Sequence, residues 1–332
     1  DKALYWQAWC EKLSKHPDVA SKLYEGFLAD YAGSELSSDV SVELSELEFE
    51  QQTALERAAA EKTPGAGLPA AVKQAYGTIV KRLETLDVMK KLGDGPLRNR
   101  ALYVLGWCCF KTDDMSKSAK AFEDLMGSKE AGELAGSAWF QAGEARMKLR
   151  EYEAACQHFT KAAAIQGPQH EAALLRRAQT EALTNKWPQS QASAQEFVKA
   201  YPASKFKAQA QFAQGWALEN QKQYAEAIPV YAEIVKAGSI DEISARSQFQ
   251  IGECLFNQNK LDEAIPQLIM VDSAYNAFPE WNSKALLELG RVLEAQGKKD
   301  KAVERYKEVT GRFPKTDAAE VAENLLKKLS GG

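Results

Sequence analysis

The sequence predicts an all-α chain built as a solenoid of helical hairpins, and three observations support this prediction. Alanine and glutamine are frequent while β-branched residues are sparse, a composition that favours helix. Small and large residues recur at fixed offsets along most of the chain. Proline and glycine interrupt the helical pattern between repeats. We expect about seven regular helical hairpins, one elongated and degenerate hairpin, and a C-terminal capping helix.

The repeat is defined by a small reference residue on the first helix of each hairpin. Six reference residues lie 37, 35, 37, 37 and 38 residues apart: Gly106, Gly143, Ala178, Gly215, Gly252 and Gly290. A second small residue follows twelve positions later and usually a large one at sixteen, as in Ala155 and Phe159. The same offsets start from Ala8 at the N-terminus. Small residues should let two antiparallel helices approach closely, and the large side chain should fill the gap between them.

This pattern divides the chain into four segments. They are an N-terminal hairpin (1–34), an elongated degenerate hairpin (35–98), six tandem repeats (99–316), and a capping helix with a tail (317–332). In the degenerate segment we predict one helix over Ser38–Lys62 and another over Pro69–Leu92. Asp317 is expected to cap the last helix, which should run to Leu329 and cover the final repeat.

Composition and charge indicate a folded chain and argue against nucleic-acid binding and a membrane span. The 332 residues are 45% apolar and 27% charged, which is typical of a folded globular chain. The net charge of −4 is spread along the sequence without a basic stripe, so no nucleic-acid partner is expected. No stretch approaches the ~18 apolar residues of a membrane span. Because the chain begins at Asp1, we expect a processed or trimmed form, in which an upstream lipid anchor would have been lost.

Residues suited to catalysis or metal binding are few and scattered. The three histidines, His16, His158 and His170, form no pair at the spacing of metal ligands. Five cysteines show no CxxC spacing, so we expect buried thiols, which favour a reducing compartment. Gly65-Ala66-Gly67 and Gly93-Asp94-Gly95 do not continue into a phosphate-binding motif. The sequence therefore predicts no enzyme, no cofactor and no metal.

A binding face is predicted on the first helices of the hairpins. Residues three before, one after and four after each reference residue share one helical face. With nearby polar residues, the predicted partner contacts are Trp9, Arg100, Tyr103, Trp107, Phe110, Phe140, Gln141, Glu144, Arg176, Gln179, Phe212, Trp216, Phe249, Gln250, Glu253, Phe256 and Arg291. Two interpretations stay open for the aromatic ones. Tyr103, Phe140, Phe212 and Phe249 are suited to packing between repeats, whereas the tryptophans are favoured as partner contacts.

The pattern of small, small and aromatic residues with a terminal proline resembles the tetratricopeptide repeat, whose period is about 34 residues. The resemblance covers 99–316 and, more loosely, 1–34. It implies a right-handed superhelical solenoid with a concave groove that binds a partner protein or peptide. Some members of this family grip a C-terminal carboxylate with Lys, Asn and Arg, but aromatic residues and leucine occupy those places here.

Two turns narrow the resemblance further. Tyr201-Pro202-Ala203-Ser204-Lys205 and Phe313-Pro314-Lys315-Thr316-Asp317 are similar to repeats of bacterial cell-envelope proteins, such as the Tol-Pal coordinating protein and outer-membrane assembly lipoproteins. This similarity implies a periplasmic or envelope scaffold. The alternatives are a structural protein that assembles with itself and a cytoplasmic adaptor. The capping helix argues against open-ended self-stacking.

Overall fold

The computed structural model describes residues 1–128 and 131–330, and these form 18 α-helices, one short 3-10 turn (Gly132–Leu134) and no strand. The predicted all-α fold of helical hairpins is confirmed. The chain divides into two compact units, Asp1–Ala173 and Leu174–Gly332. Within the described residues, no helix combines the length and apolar character needed to cross a membrane.

The first unit contains two regular hairpins on its C-terminal side, one at its N-terminus, and an irregular segment between them. Its helices are α1 (Lys2–Leu13), α2 (Pro17–Asp30), α3 (Ser37–Lys62), α4 (Ala70–Leu83), α5 (Leu86–Lys91), α6 (Pro96–Lys111), α7 (Met115–Met126), α8 (Ala135–Lys148) and α9 (Tyr152–Ala163). The 26-residue α3 confirms the long helix predicted from the sequence. It packs against α2, α4 and α6.

The second unit contains four hairpins and a final helix. Its helices are α10 (His170–Leu183), which begins four residues before the unit boundary, α11 (Trp187–Ala200), α12 (Lys207–Asn220), α13 (Tyr224–Lys236), α14 (Glu242–Asn257), α15 (Leu261–Ala274), α16 (Pro279–Ala295), α17 (Lys299–Arg312) and α18 (Asp317–Ser330). Consecutive helices from α11 to α18 pack against each other, and α18 contacts both α16 and α17. The last helix thus covers the final hairpin.

Close helix approach at the reference residues explains the repeat. A methyl group built on Gly143 would lie 2.6 Å from the Phe159 ring, and one on Gly290 would lie 2.3 Å from the Tyr306 ring. The small residue twelve positions later lies at the same contact: the Ser118 hydroxyl donates to the Gly106 carbonyl at 2.9 Å. Phe159 and Tyr306 are fully buried. The predicted roles of the small and large residues are therefore confirmed.

Each regular hairpin turns at a residue seven positions after its reference residue. These turn residues have positive φ values between 58° and 76°, and they are Lys15, Asp113, Arg150, Asn185, Lys222, Asn259 and Gly297. The next residue donates its N–H to a carbonyl five positions back, as Asp114 does to Cys109 at 2.9 Å. This arrangement satisfies carbonyl groups that the helix end leaves without a partner. The shared turn gives all seven hairpins the same geometry.

Two sequence predictions about helix ends are wrong. The helix predicted over Pro69–Leu92 is two helices, because α4 ends at Leu83 and α5 starts at Leu86. At this break the Thr85 hydroxyl donates to the Arg82 carbonyl at 2.8 Å, a local bond that competes with helix continuation. The cap of α18 is Thr316 rather than Asp317, because the Thr316 hydroxyl accepts the N–H of Ala319 at 3.2 Å.

Candidate functional site

The second unit contains a cleft of about 620 Å³ formed by the first helices of three successive hairpins. We call it the α12–α14–α16 cleft. It is lined by Trp216, Glu219, Asn220, Lys222, Tyr224, Arg246, Phe249, Gln250, Glu253, Asn257, Trp281, Lys284, Leu287, Glu288 and Arg291. Large aromatic rings and charges of both signs thus meet in one place.

Helical spacing brings the polar side chains of α14 into the cleft. Arg246, Gln250, Glu253 and Asn257 follow each other at intervals of four, three and four residues, which places them on one stripe of the helix. The first two lie six and two residues before the reference residue Gly252, and the last two lie one and five residues after it. On α16 the same offsets select Lys284, Glu288 and Arg291 among the lining residues. The polar side chains that α14 and α16 contribute to the cleft therefore come from one repeating stripe.

The guanidinium of Arg246 lies among three aromatic rings. Its central carbon is 4.2 Å from the ring centroid of Phe212, 5.4 Å from that of Trp281 and 5.9 Å from that of Trp216. Among the described residues, none accepts a hydrogen bond from this guanidinium or forms an ion pair with it. Burial lowers the pKa of Arg246, while the negative charges around it act in the opposite direction. Arg246 is thus a half-buried cation held by rings, with its donors available.

Three carboxylates lie beside each other in the cleft, and two of them are hydrogen-bonded or paired. Glu219 accepts from the Tyr231 hydroxyl at 3.0 Å and from the Gln250 amide at 2.7 Å. Glu288 forms an ion pair with Arg291 at 3.0 Å. Among the described residues, Glu253 has no cation within ion-pair distance.

The environment of Glu253 disfavours its charged form. Burial raises the pKa of Glu253 to about 7, and the negative charges of Glu288 and Glu219 add to this effect. The neighbouring Gln250 amide and the charge of Arg291 lower this pKa by smaller amounts. The cleft therefore holds an acidic group that is partly protonated near neutral pH.

The raised pKa of Glu253 makes a pH-dependent contribution to stability. A carboxyl group with a higher pKa in the folded state stabilises most below its unfolded pKa, and this contribution is lost as the pH rises through about 7. We compare the free energy of unfolding of Glu253→Gln with that of wild type at about pH 5 and at about pH 8. The difference should shift in favour of the variant by roughly 1–2 kcal/mol at the higher pH, after allowance for solvent screening. Urea unfolding of both proteins at the two pH values measures this difference. The exposed Glu226→Gln on α13 is the control, and a difference that does not change with pH would contradict the assignment.

The structure brings together five of the predicted partner contacts. Trp216, Phe249, Gln250, Glu253 and Arg291 line the α12–α14–α16 cleft. Phe212 lies beneath Arg246, and Phe256 packs against the core. On α10, Arg176 donates to the Gln179 side chain at 3.1 Å. The roles of all these residues in binding stay predictions.

In the first unit, the predicted aromatic contacts form a row on α6. Tyr103 and Phe110 each make an edge-to-face contact with the Trp107 ring, with centroids 6.4 and 6.1 Å apart. Phe140 on α8 packs on Phe159 with a centroid distance of 5.6 Å. These contacts show that the rings pack within the repeats, and Tyr103 and Trp107 also contact the buried Phe122 ring. Further predicted contacts lie elsewhere in the unit: Gln141 is buried on α8, Glu144 is half-buried on α8, and Trp9 is exposed on α1.

Arg100, predicted as a polar contact for a partner, is engaged within the first unit. Its guanidinium bonds to Glu46 at 2.6 Å and to Glu43 at 3.0 Å, both on α3. Lys12 on α1 also contacts Glu43, at 2.5 Å. Arg100 therefore links α6 to α3, and its predicted role in partner binding stays untested.

Sequence reasoning missed several lining residues because it took positions six or two before the reference residue in only some repeats, as with Gln250, and relied mainly on a neighbouring stripe of the helix. The offset four after the reference residue selects packing positions such as Phe256, whereas the offset three before selects Phe249, which lines the cleft. The positions six and two residues before the reference residue Gly290 would have identified Lys284 and Glu288. Trp281 lies nine residues before Gly290, outside both patterns. Among the described residues, no group of three or more His, Cys, Asp or Glu side chains is arranged to hold a metal ion.

Comparisons with known proteins identify the family. The profile of the tetratricopeptide repeat-like domain matches residues 162–330, and that of a tetratricopeptide repeat matches 136–167. A search of curated proteins found no match. The chain is similar to the C-terminal part of a repeat-containing protein from Cytophaga hutchinsonii, with 11% identity, a TM-score of 0.58, and coverage of 85% of this chain and 98% of that one. A tetratricopeptide repeat protein from Parabacteroides merdae matches at 14% identity and TM-score 0.48, covering 85% of this chain and 99% of that one.

At such low identity, structural similarity shows the fold alone. The family assignment depends instead on the profile match, which covers half of the sequence and includes the whole α12–α14–α16 cleft. The fold itself indicates an interaction scaffold, because stacked hairpins present long side-chain-lined surfaces. The chain belongs to the tetratricopeptide repeat-like domain family.

Proposed function

We propose that this protein is a non-catalytic scaffold that binds a segment of a partner protein in the α12–α14–α16 cleft. The observation that carries the proposal is the Arg246 guanidinium, half-buried among aromatic rings with no described hydrogen-bond acceptor. Partial burial of a cation that forms no ion pair costs free energy. A bound partner group that accepts from Arg246 would offset this cost.

The other lining residues suit a peptide chain. Asn220, Gln250 and Asn257 carry amides, which can donate to and accept from a peptide backbone. Trp216 and Trp281 offer large apolar surfaces of the type enriched at binding hot spots. The combination favours recognition of an extended segment through its backbone and selected side chains.

A catalytic role is not favoured by the residues in the cleft. Glu253 has the pKa of a general base. However, the described residues that line the cleft include no serine, threonine, cysteine or histidine that it would activate. Its charged neighbours are held by a hydrogen bond, an ion pair or an aromatic ring, as in Glu219, Glu288 and Arg246, which suits recognition of charge.

We further propose that the scaffold acts in the bacterial cell envelope, in the periplasm or at a membrane-associated complex. The support is the pair of turns at Tyr201-Pro202 and Phe313-Pro314, which are similar to repeats of envelope proteins. The free cysteines favour a reducing compartment, but burial raises the pKa values of Cys108, Cys109 and Cys254 and keeps these thiols unreactive, so they are compatible with an oxidising one. Cys10 is exposed, so the prediction of buried thiols is wrong for this residue, which lacks that protection.

Retention of a partner on the immobilised chain tests both proposals. We expect a protein from an envelope extract to bind wild type, and Trp216→Ala to reduce its retention at least about tenfold. Trp6→Ala is the matched control, because Trp6 is exposed on α1 outside the cleft. Equal retention by Trp216→Ala and wild type would contradict a role for the cleft. A partner present only in the cytoplasmic extract would contradict the envelope role and favour the adaptor.

A further inference from the structure

Two opposite charges on α14 face the cleft without an ion-pair partner. Among the described residues, neither Arg246 nor Glu253 forms an ion pair, and the charge of Arg291 acts on Glu253 from beyond ion-pair distance. They are seven residues apart, which is two helical turns, so they lie on the same side of α14 about 10 Å apart along its axis. The cleft thus presents a positive and a negative group at a fixed distance.

The surroundings of Arg246 favour an acidic side chain as its ligand. Phe212, Trp216 and Trp281 surround the guanidinium at distances typical of cation–π contacts. Rings hold the group in position but satisfy none of its N–H donors. A carboxylate matches the fork of a guanidinium in a bidentate arrangement, which is stronger and more directional than a single neutral hydrogen bond.

The surroundings of Glu253 favour a basic side chain. Glu219 and Glu288 lie close enough to oppose ionisation of Glu253, and each already has its own donors in the protein. A lysine or arginine side chain of a ligand would relieve this repulsion and pair with Glu253. Phe249, which lies between the two charges along α14, and Leu287 on α16 contribute apolar surface to the cleft.

We propose that the cleft recognises an extended segment in which an acidic and a basic side chain are three residues apart. In the extended polyproline II conformation the chain advances about 3.1 Å per residue with three residues per turn, so side chains three residues apart lie on the same side and about 9 Å apart, close to the ~10 Å between the two groups on α14. The acidic side chain binds Arg246 and the basic one binds Glu253. This inference rests on the proposed function, since it names the kind of segment that the cleft accepts.

Selection from a phage-displayed library of random dodecapeptides on the immobilised full chain tests the inference. We expect selected peptides to share an acidic and a basic side chain at three-residue spacing. A synthetic peptide of that sequence should lose about tenfold in affinity when its acidic residue is changed to the amide. The same change should have little effect on binding to Arg246→Met, because the contact is already absent there. Glu253→Gln should likewise abolish the preference for the basic residue.

Matched variants separate the possible outcomes. Arg305→Met removes a cation from an ion pair with Glu308 on α17, outside the cleft, and should select the same peptides as wild type. Peptides that require Trp216 but lack the paired charges would overturn the inference and leave the proposed function intact. Peptides that bind Trp216→Ala as well as wild type, or the absence of any enriched peptide, would contradict both.

Discussion

Replacing Gly290 with valine is expected to lower the free energy of unfolding by about 3 kcal/mol or more. Even the first added carbon would lie 2.3 Å from the ring of Tyr306. Tyr306 cannot move aside easily, because it is fully buried and its hydroxyl donates to Glu294 at 2.9 Å. The α16–α17 hairpin would therefore have to separate. Urea unfolding followed by far-UV circular dichroism measures the effect.

A second glycine of the same hairpin provides the control. Gly311 lies in α17, and a methyl group there would meet nothing within 4 Å. We expect Gly311→Ala to leave stability unchanged or to raise it by up to about 1 kcal/mol, because alanine favours helix over glycine. Equal destabilisation by both substitutions would show that close approach is not the reason for glycine at position 290.

Replacing Glu43 with alanine is expected to destabilise the first unit by about 3 kcal/mol. The Glu43 carboxylate is largely buried on α3, with 7% of its side chain exposed, and it pairs with Lys12 of α1 and Arg100 of α6. Removal of this buried anion leaves two cations that share the single carboxylate of Glu46. Three helices thus lose a common contact. Urea unfolding of the full chain, monitored by circular dichroism, measures the loss. The midpoint of the earliest transition in which helix is lost should move to a lower urea concentration.

Glu50 on the same helix is the matched control for this substitution. It is exposed, and no ion pair connects it to another described residue. Its replacement with alanine should change stability by no more than about 0.5 kcal/mol. A similar small change for Glu43→Ala would show that the charge cluster contributes little to holding α1, α3 and α6 together.

The regular part of the fold could be predicted because its contacts require particular residue sizes. A close approach of two helices excludes a side chain at Gly143 or Gly290, so the spacing of small residues is visible in the sequence. The turns that follow could also be located from the sequence, but the left-handed conformation of the residue seven positions after each reference residue could not be predicted. Lys222 and Arg150 adopt the left-handed conformation as Gly297 does, because the shared hydrogen-bonding pattern of the turn imposes it.

The irregular segment and the cleft were harder to predict. The break between α4 and α5 depends on local hydrogen bonds such as that of Thr85, which compete with a helix of ordinary propensity. In the cleft, sequence spacing identified Trp216 and Glu253 but not Trp281. A helical period assigns residues to faces, whereas the position of a cleft depends on how neighbouring hairpins pack. The spacing of residues along the sequence also does not predict intramolecular partners, such as the Glu46 carboxylate that binds Arg100.

The most direct test of the central claim is to locate the bound partner by photo-crosslinking. Asn257 is exposed at the cleft and Ile269 is exposed on α15 away from it, so each can carry p-benzoylphenylalanine in place of its own side chain. If the α12–α14–α16 cleft is the binding site, illumination should join the partner to the chain labelled at 257 and leave the chain labelled at 269 unmodified. Equal crosslinking from both positions, or crosslinking from 269 alone, would contradict the claim.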